Sequence, residues 1–402
     1  MKKIVLALFA LTFYVSFACA QGMYEFGYNI NSLRPIHVDD QAFRNTIWYR
    51  IDLSQEANQP MFAKDLEITR IIVEAVKAGI LRPFQNDSLT IRMPYEDFIT
   101  NLAIANTSKE YSPTQITLLE VREDIIYSKK DLRFYHDIQA INLYIPAHLH
   151  SSKKEKFIAT FSWKEIVKNV FEDNPQAVWF NKKDNNEHLP LLEAFNKRLF
   201  KGYLVSNPYI DEKLKQEKIT ENNNSICNIP VSQQLFRKTV WYRIDLSKPA
   251  NKPMFTKHNE ITKIIMEAVI AGVLRPFTND SLEERMSYYD FMHNLRKDQS
   301  SDDEYYMPQD ISLLEVREEF IFDKSTLKIC YDIQSLTLYV PAEKTQSKVK
   351  RKIASFSYKE LHENIFKNNT VWYNDENQAK LFDLNEGLYL RLFEGEFLKF
   401  KD

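Results

Sequence analysis

Positions 47 to 53 read Ile, Trp, Tyr, Arg, Ile, Asp, Leu. This alternation puts Ile47, Tyr49, Ile51 and Leu53 on one side of an extended chain and Trp48, Arg50 and Asp52 on the other, the two-residue period of a half-buried strand. After a proline-bearing loop, Ile68, Ile71, Ile72, Ala75 and Val76 recur at the spacing of one helical face, which predicts an amphipathic helix. Gly79 marks its stop, with Pro83 shortly after. A second short helix is predicted around Tyr95, Phe98 and Leu102, with Pro94 at its start. Two strand-like runs, 116–127 and 132–145, are joined by residues 128–131 and read as an antiparallel hairpin. Phe161-Ser162-x-x-Glu165 reads as a capping box, in which serine and glutamate satisfy backbone donors at the start of a short helix running to about Phe171. A strand around Trp179 and a last helix ending at Phe200 complete the pattern. Hairpins interspersed with helices, without regular strand-helix alternation, predict an α+β fold built on a mainly antiparallel sheet.

The whole pattern then occurs a second time. Residues 43–102 and 236–295 align without a gap at an offset of 193, with 41 of 60 positions identical. The match continues more weakly at an offset of 195, through Asp137-Ile138-Gln139 beside Asp332-Ile333-Gln334. It returns to 193 for Arg198-Leu199-Phe200 beside Arg391-Leu392-Phe393. A repeat of this length is a whole domain rather than a solenoid unit. The sequence therefore predicts tandem homologous domains at 42–205 and 235–402. Residues 206–234, charged and poor in apolar patterning, read as an exposed linker, and 21–41 as an N-terminal arm that either packs on a neighbouring surface or stays free.

Residues 1–20 have the parts of a cleaved secretory signal: Lys2 and Lys3, an apolar run from 4 to 17, and Ala18 and Ala20 before the cut. The run is shorter than the roughly 20 residues needed to span a bilayer, which disfavours a membrane anchor. No other segment is apolar enough to enter a membrane, so a soluble protein, or one attached through a partner, is expected. Removing the two signal lysines takes the formal charge from 53 − 55 = −2 to 51 − 55 = −4, which points to neither nucleic acid nor anionic lipid. Cys227 and Cys330 remain, at positions the repeats do not share. An exported chain can oxidise them, but a fold of this size has core enough without a bridge. With seven glycines in the chain, Gly-rich phosphate loops and nucleotide fingerprints are absent.

An enzyme with two working sites should keep its catalytic side chains at equivalent places in both copies. No histidine does so: His136 aligns with Tyr331, His258 with Asp65, His293 with Thr100 and His362 with Val167. This weighs against a histidine-based nucleophile or metal in each copy, and no metal or cofactor is expected. The shared carboxylates are Asp52/Asp245, Glu67/Glu260, Glu74/Glu267, Asp87/Asp280, Asp97/Asp290 and Glu120/Glu315. Two of them 5 to 10 Å apart could work as acid and base on a glycan. Structural roles fit better: Glu74 lies on the polar side of its helix, Asp87 in an Asn-Asp-Ser turn, and Glu120 next but one to Arg122 on one strand face, placed to pair with it. Trp48, Trp163, Trp179, Trp241 and Trp372 suit either core or an aromatic contact surface. The face carrying Trp48, Arg50 and Asp52, with Trp241, Arg243 and Asp245, is the candidate interaction or structural motif. It should either close a second small core or meet another subunit.

On these residues the chain resembles the GldN (PorN) family of the Bacteroidetes gliding-motility and type IX secretion apparatus. The shared pattern is the Trp-x-x-Ile-Asp-Leu strand followed by Asn-x-Pro, here Trp48 to Leu53 with Asn58 and Pro60, and Trp241 to Leu246 with Asn251 and Pro253. Tyr-Ile-Pro at 144–146, Tyr-Val-Pro at 339–341 and the Phe-Ser-x-x-Glu helix start also look similar. The resemblance implies a non-enzymatic periplasmic subunit that forms a ring beneath the outer membrane with a lipoprotein of the GldK (PorK) type. The family is usually single-copy, so the tandem form departs from its pattern. The alternative reading is an exported ligand- or carbohydrate-binding protein, with a glycoside hydrolase behind it.

Overall fold

A computed structural model describes residues 24–181, 188–205, 222, 224–256, 260–297, 304–367, 371–372 and 382–401. The predicted signal lies outside them. The chain forms two compact units, one built mainly on residues up to 213 and the other mainly on those that follow. Each is an α+β domain around one five-stranded antiparallel sheet.

In the first unit the strands are β1 (Gln41–Asp52), β2 (Leu118–Ser128), β3 (Arg133–Ile145), β4 (Lys156–Ser162) and the two-residue β5 (Tyr203–Leu204), in the order β4-β3-β2-β1-β5. The helices are α1 (Ile68–Lys77), α2 (Tyr95–Leu102), α3 (Trp163–Ile166), which runs on as a π-helix through Val167–Phe171, and α4 (Leu191–Asn196). The second unit repeats the plan with β6 (Gln234–Asp245), β7 (Leu313–Asp323), β8 (Lys328–Val340), β9 (Arg351–Ser357) and β10 (Gly395–Lys401), ordered β9-β8-β7-β6-β10. Its helices are α5 (Ile261–Ile270), α6 (Tyr288–Leu295), α7 (Tyr358–Leu361) and α8 (Leu384–Tyr389).

The strand alternation does what its period requires. Ile47, Tyr49, Ile51 and Leu53 are fully buried, and α1 places Ile68, Ile71, Ile72, Ala75 and Val76 in the core. Phe98 of α2 meets Phe161 of β4 edge-on, and Phe200 stacks on Tyr49 with rings 5.6 Å apart, as Phe393 does on Tyr242 at 5.5 Å. Asn58 of the Asn-x-Pro motif is buried and satisfied on both sides of its amide. It donates to the carbonyls of Asp52 and Lys201 and accepts from the Lys201 N–H, and Asn251 repeats the arrangement with Asp245 and Glu394. A buried amide with every group paired is strongly specifying.

Three expectations are corrected. The last helix stops at Asn196, short of Phe200, because Arg198 turns into the left-handed region (φ 49°) and the Leu199 N–H bonds back to Ala194. The capping box is half made: Ser162 and Ser357 accept from the N–H groups of Glu165 and Glu360, but both glutamates turn away to Arg92 and Arg285. Cys227 and Cys330 form a disulfide, so core size did not decide the matter.

The arm and the described end of the linker are also one repeated feature. Residues 24–37 lie as a strap on the sheet, where Asn29 donates to Gln139 at 2.9 Å and Ser32 to Asp137 at 2.9 Å. At equivalent places in the second unit, Asn222 donates to Gln334 at 2.7 Å and the Ile226 N–H to Asp332 at 2.9 Å. Gln41 donates to the Ile36 carbonyl at 2.8 Å and Gln234 to that of Ile229 at 2.7 Å. The straps cover the halves of β3 and β8 that lie beyond the pairing with β4 and β9, which begins at Ala140 and Ser335. Covering such an edge removes a template for unwanted strand pairing. The disulfide ties the second strap to β8, where the first unit has Arg34 and Tyr135.

Candidate functional site

The outer face of β1 carries the candidate motif. Register places Trp48 beside Arg122 and Ala140, and Arg50 beside Glu120, Asn142 and Thr160. Over these rows folds the segment between α1 and α2. Phe84 bridges to Thr160 by two backbone hydrogen bonds, and its side chain joins Leu89 and Ala140 in a small buried cluster. At the turn of this segment Asp87 accepts the indole N–H of Trp48 at 2.6 Å, while Arg122 donates to the Asp87 carbonyl at 2.6 Å. The second unit repeats the clamp, with Trp241 donating to Asp280 at 2.6 Å and Arg317 to its carbonyl at 3.2 Å. Arg50 pairs with Glu120 at 2.8 Å and with Glu155 at 2.8 Å; Arg243 pairs with Glu315 at 2.7 Å and with Glu396 at 3.3 Å. Asp52 and Asp245 accept from the backbone and hydroxyl of Ser54 and Ser247.

The structure thus brings Trp48 and Arg50 into one half-buried polar cluster with Asp87 and Glu120, and leaves Asp52 in a local turn. The expected Glu120–Arg122 pair is not made: the neighbouring strand offers Arg50 directly opposite Glu120, and Arg122 reaches Asp87 instead. Glu67 is buried against Arg70 at 2.6 Å and bonded to the Asp65 N–H. Burial would raise its carboxyl, but the Arg70 and backbone donors leave it below its usual value. Trp163 is core, packed on Phe171 and Phe195. Sequence reasoning passed over Arg92 and Arg285. Each lies over a ring, Phe84 at 3.8 Å or Phe277 at 3.9 Å, donates to the carbonyl of Arg82 or Arg275, and pairs with Glu165 or Glu360. Their shared offset was the available signal.

A buried ion pair lies on the other side of each sheet. Arg198 donates to Glu123 at 2.7 Å and to His136 Nδ1 at 3.0 Å. Burial opposes the Glu123 charge, yet the Arg198 guanidinium beside it holds its carboxyl down at about 2. Burial, then Arg198, lowers His136, so the ring is neutral and accepts from the guanidinium. In the second unit Arg391 pairs with Glu318, but Tyr331 replaces the histidine. There burial wins and Glu318 is raised, with Asp332 adding to the effect. Cavities of about 250 and 450 Å³ adjoin the two pairs. Their equivalent linings differ, His136 and Trp163 against Tyr331 and Tyr358, so they do not share a ligand chemistry. Among the described residues no group of three histidine, cysteine or acidic side chains is placed to hold a metal, and no helix is long and apolar enough to cross a membrane.

A comparison with curated proteins finds no match. The family described as "Gliding motility associated protein GldN" matches twice, over residues 36–227 and 229–402. Nearly the whole chain is thereby covered by two consecutive copies of one family domain, and the protein belongs to the GldN family.

Proposed function

We propose that the chain is a non-enzymatic structural subunit of the type IX secretion and gliding machinery. It works in the periplasm at the inner face of the outer membrane and builds a ring with a lipoprotein of the GldK (PorK) type. The observation that carries this reading is the double family match. The fate of the duplicated polar residues supports it: Trp48, Arg50, Asp87, Glu120 and their counterparts are used to tie each domain to itself. Catalysis by paired carboxylates needs groups free to move protons, whereas Glu67 is held by Arg70 and Asp52 by Ser54. On this reading the Trp48 and Trp241 faces are structural clamps, and each strap counts with the domain it covers.

Deleting the gene in its host and following surface adhesins tests the proposal. The expected result is loss of adhesin secretion and of gliding, both restored by the full chain, with the protein fractionating with the outer membrane only while the lipoprotein is present. Normal secretion and spreading in the deletion strain would sink it.

A further inference from the structure

The cavity of about 450 Å³ in the second unit is large enough to hold a small molecule. Ile226 of the strap, Tyr331 and Ile333 of β8, Tyr358 of α7 and Tyr389 of α8 give it an apolar lining. Tyr358 and Ile333 are buried, whereas Tyr389 is 59 % exposed and stands at the open side. The disulfide fixes one wall, because Cys227 and Cys330 are the chain neighbours of Ile226 and Tyr331. A wall held in place beforehand leaves less to be ordered when a ligand enters.

The charged groups around these rings are mainly acidic. Glu318, Asp383 and Glu386 line the cavity, with Lys367 as the lysine or arginine among the lining residues. Glu318 is paired with Arg391, which does not itself line the cavity. Burial, then Glu318 and Asp383, push the Tyr358 hydroxyl above its ordinary value, so both carboxylates act on the buried end. Tyrosine rings have negative faces, and an organic cation over them gains an attraction that grows as water is excluded. Rings, carboxylates and an apolar lining together select a cation that carries alkyl groups. An anion would face the carboxylates, and a metal ion finds no group of three ligands among the described residues. The first unit does not repeat the arrangement. In the places of Tyr331, Tyr389 and Asp383 it has His136, Asn196 and Pro190, and Arg34, in the place of Cys227, lines its smaller cavity of about 250 Å³.

We propose that this cavity binds a small alkylated ammonium ion, its charge held against the tyrosine rings and near the carboxylates of Asp383 and Glu386, at one site per chain. The site is independent of the ring reading, which is tested by the deletion strain.

Isothermal titration of the mature full-length chain with choline, and with its uncharged isostere dimethylbutanol, provides the test. Choline should fill one site per chain, and the isostere should bind about tenfold more weakly for want of the charge. Tyr389→Leu keeps an apolar side chain without the ring and should weaken choline about fivefold. Tyr389→Phe should retain it, and neither variant should change Tm, because the side chain is exposed. Asp383→Asn keeps a helix cap and removes the charge, so it should weaken choline and leave the isostere unaffected. Equal binding of choline and its isostere overturns the proposal, as does full binding by Tyr389→Leu. So does the absence of binding by both choline and the larger benzyltrimethylammonium ion. Two sites per chain would overturn its restriction to the second unit. A lysine tripeptide that binds where neither ammonium ion does would assign the cavity to a polypeptide side chain and overturn the small-molecule reading.

Discussion

The indole N–H of Trp48 reaches across 39 residues to the Asp87 carboxylate at 2.6 Å, and Trp241 does the same to Asp280 at the same distance and separation. One bond thereby joins the first strand of each domain to the segment between its first two helices. It explains why a large aromatic residue on the outer strand face is kept in both copies.

We predict that Asp87→Ala or Asp280→Ala lowers stability by about 1 to 3 kcal/mol, the cost of leaving a part-buried donor without its acceptor. Asp87→Asn, which retains an acceptor oxygen, should lose less. Urea titration followed by tryptophan fluorescence reads the difference. Equal effects of the alanine and asparagine variants would show that the acceptor role is unimportant.

Removing one member of a buried pair strands the other. Arg198→Met should cost about 3 to 5 kcal/mol, since Glu123 is left charged in the core. Arg198→Met combined with Glu123→Gln should recover part of that loss, because no uncompensated charge remains. Chemical denaturation of the single and double variants measures the recovery; a strictly additive double variant would refute the pairing.

Asp137, buried beneath the first strap, is raised to about 7, chiefly by burial and against the bond from Ser32. The folded protein therefore holds a proton that the unfolded chain releases. Its contribution to stability is complete below about pH 4, declines as pH rises to about 7 and is level above that. Glu123, held at about 2, acts in the opposite sense and loses its contribution as pH falls from about 4.5. Asp137→Asn should flatten the decline between pH 4 and 7. Thermal melts across that range decide it, and an unchanged slope would dissociate Asp137 from the effect.

The disulfide closes a loop of 103 residues within the second unit. Cys227→Ser with Cys330→Ser should lower the stability of that unit by about 2 to 4 kcal/mol, and the first unit, which has no such bridge, should be unaffected. Calorimetry of the unaltered protein with and without reductant should show the same selective shift. A variant whose two units both weaken equally would contradict it.

Much of this fold was legible because burial in it follows simple periods. The alternation from Ile47 to Leu53 and the helical stripe from Ile68 to Val76 each point one way, and the second copy checks the first residue by residue. The strap was not legible. Asn29, Ser32, Asn222 and Ser225 are polar, and polar residues with no period read as arm or linker until their buried partners Gln139, Asp137, Gln334 and Asp332 are in place.

The sequence by itself determined the duplication, the α+β class and the identity of the core, since all three depend on local pattern or on comparing the chain with itself. Which polar groups meet was decided only by the tertiary structure. Glu120 has Arg122 two residues away along its strand and takes Arg50, because antiparallel register sets the two directly opposite each other. The strand alternation carries no sign of the bond from Trp48 to Asp87, which exists only because the segment carrying Asp87 folds back to that strand. Spacing along the chain constrains neighbours on one element, but a hydrogen bond between elements depends on where each lies in space.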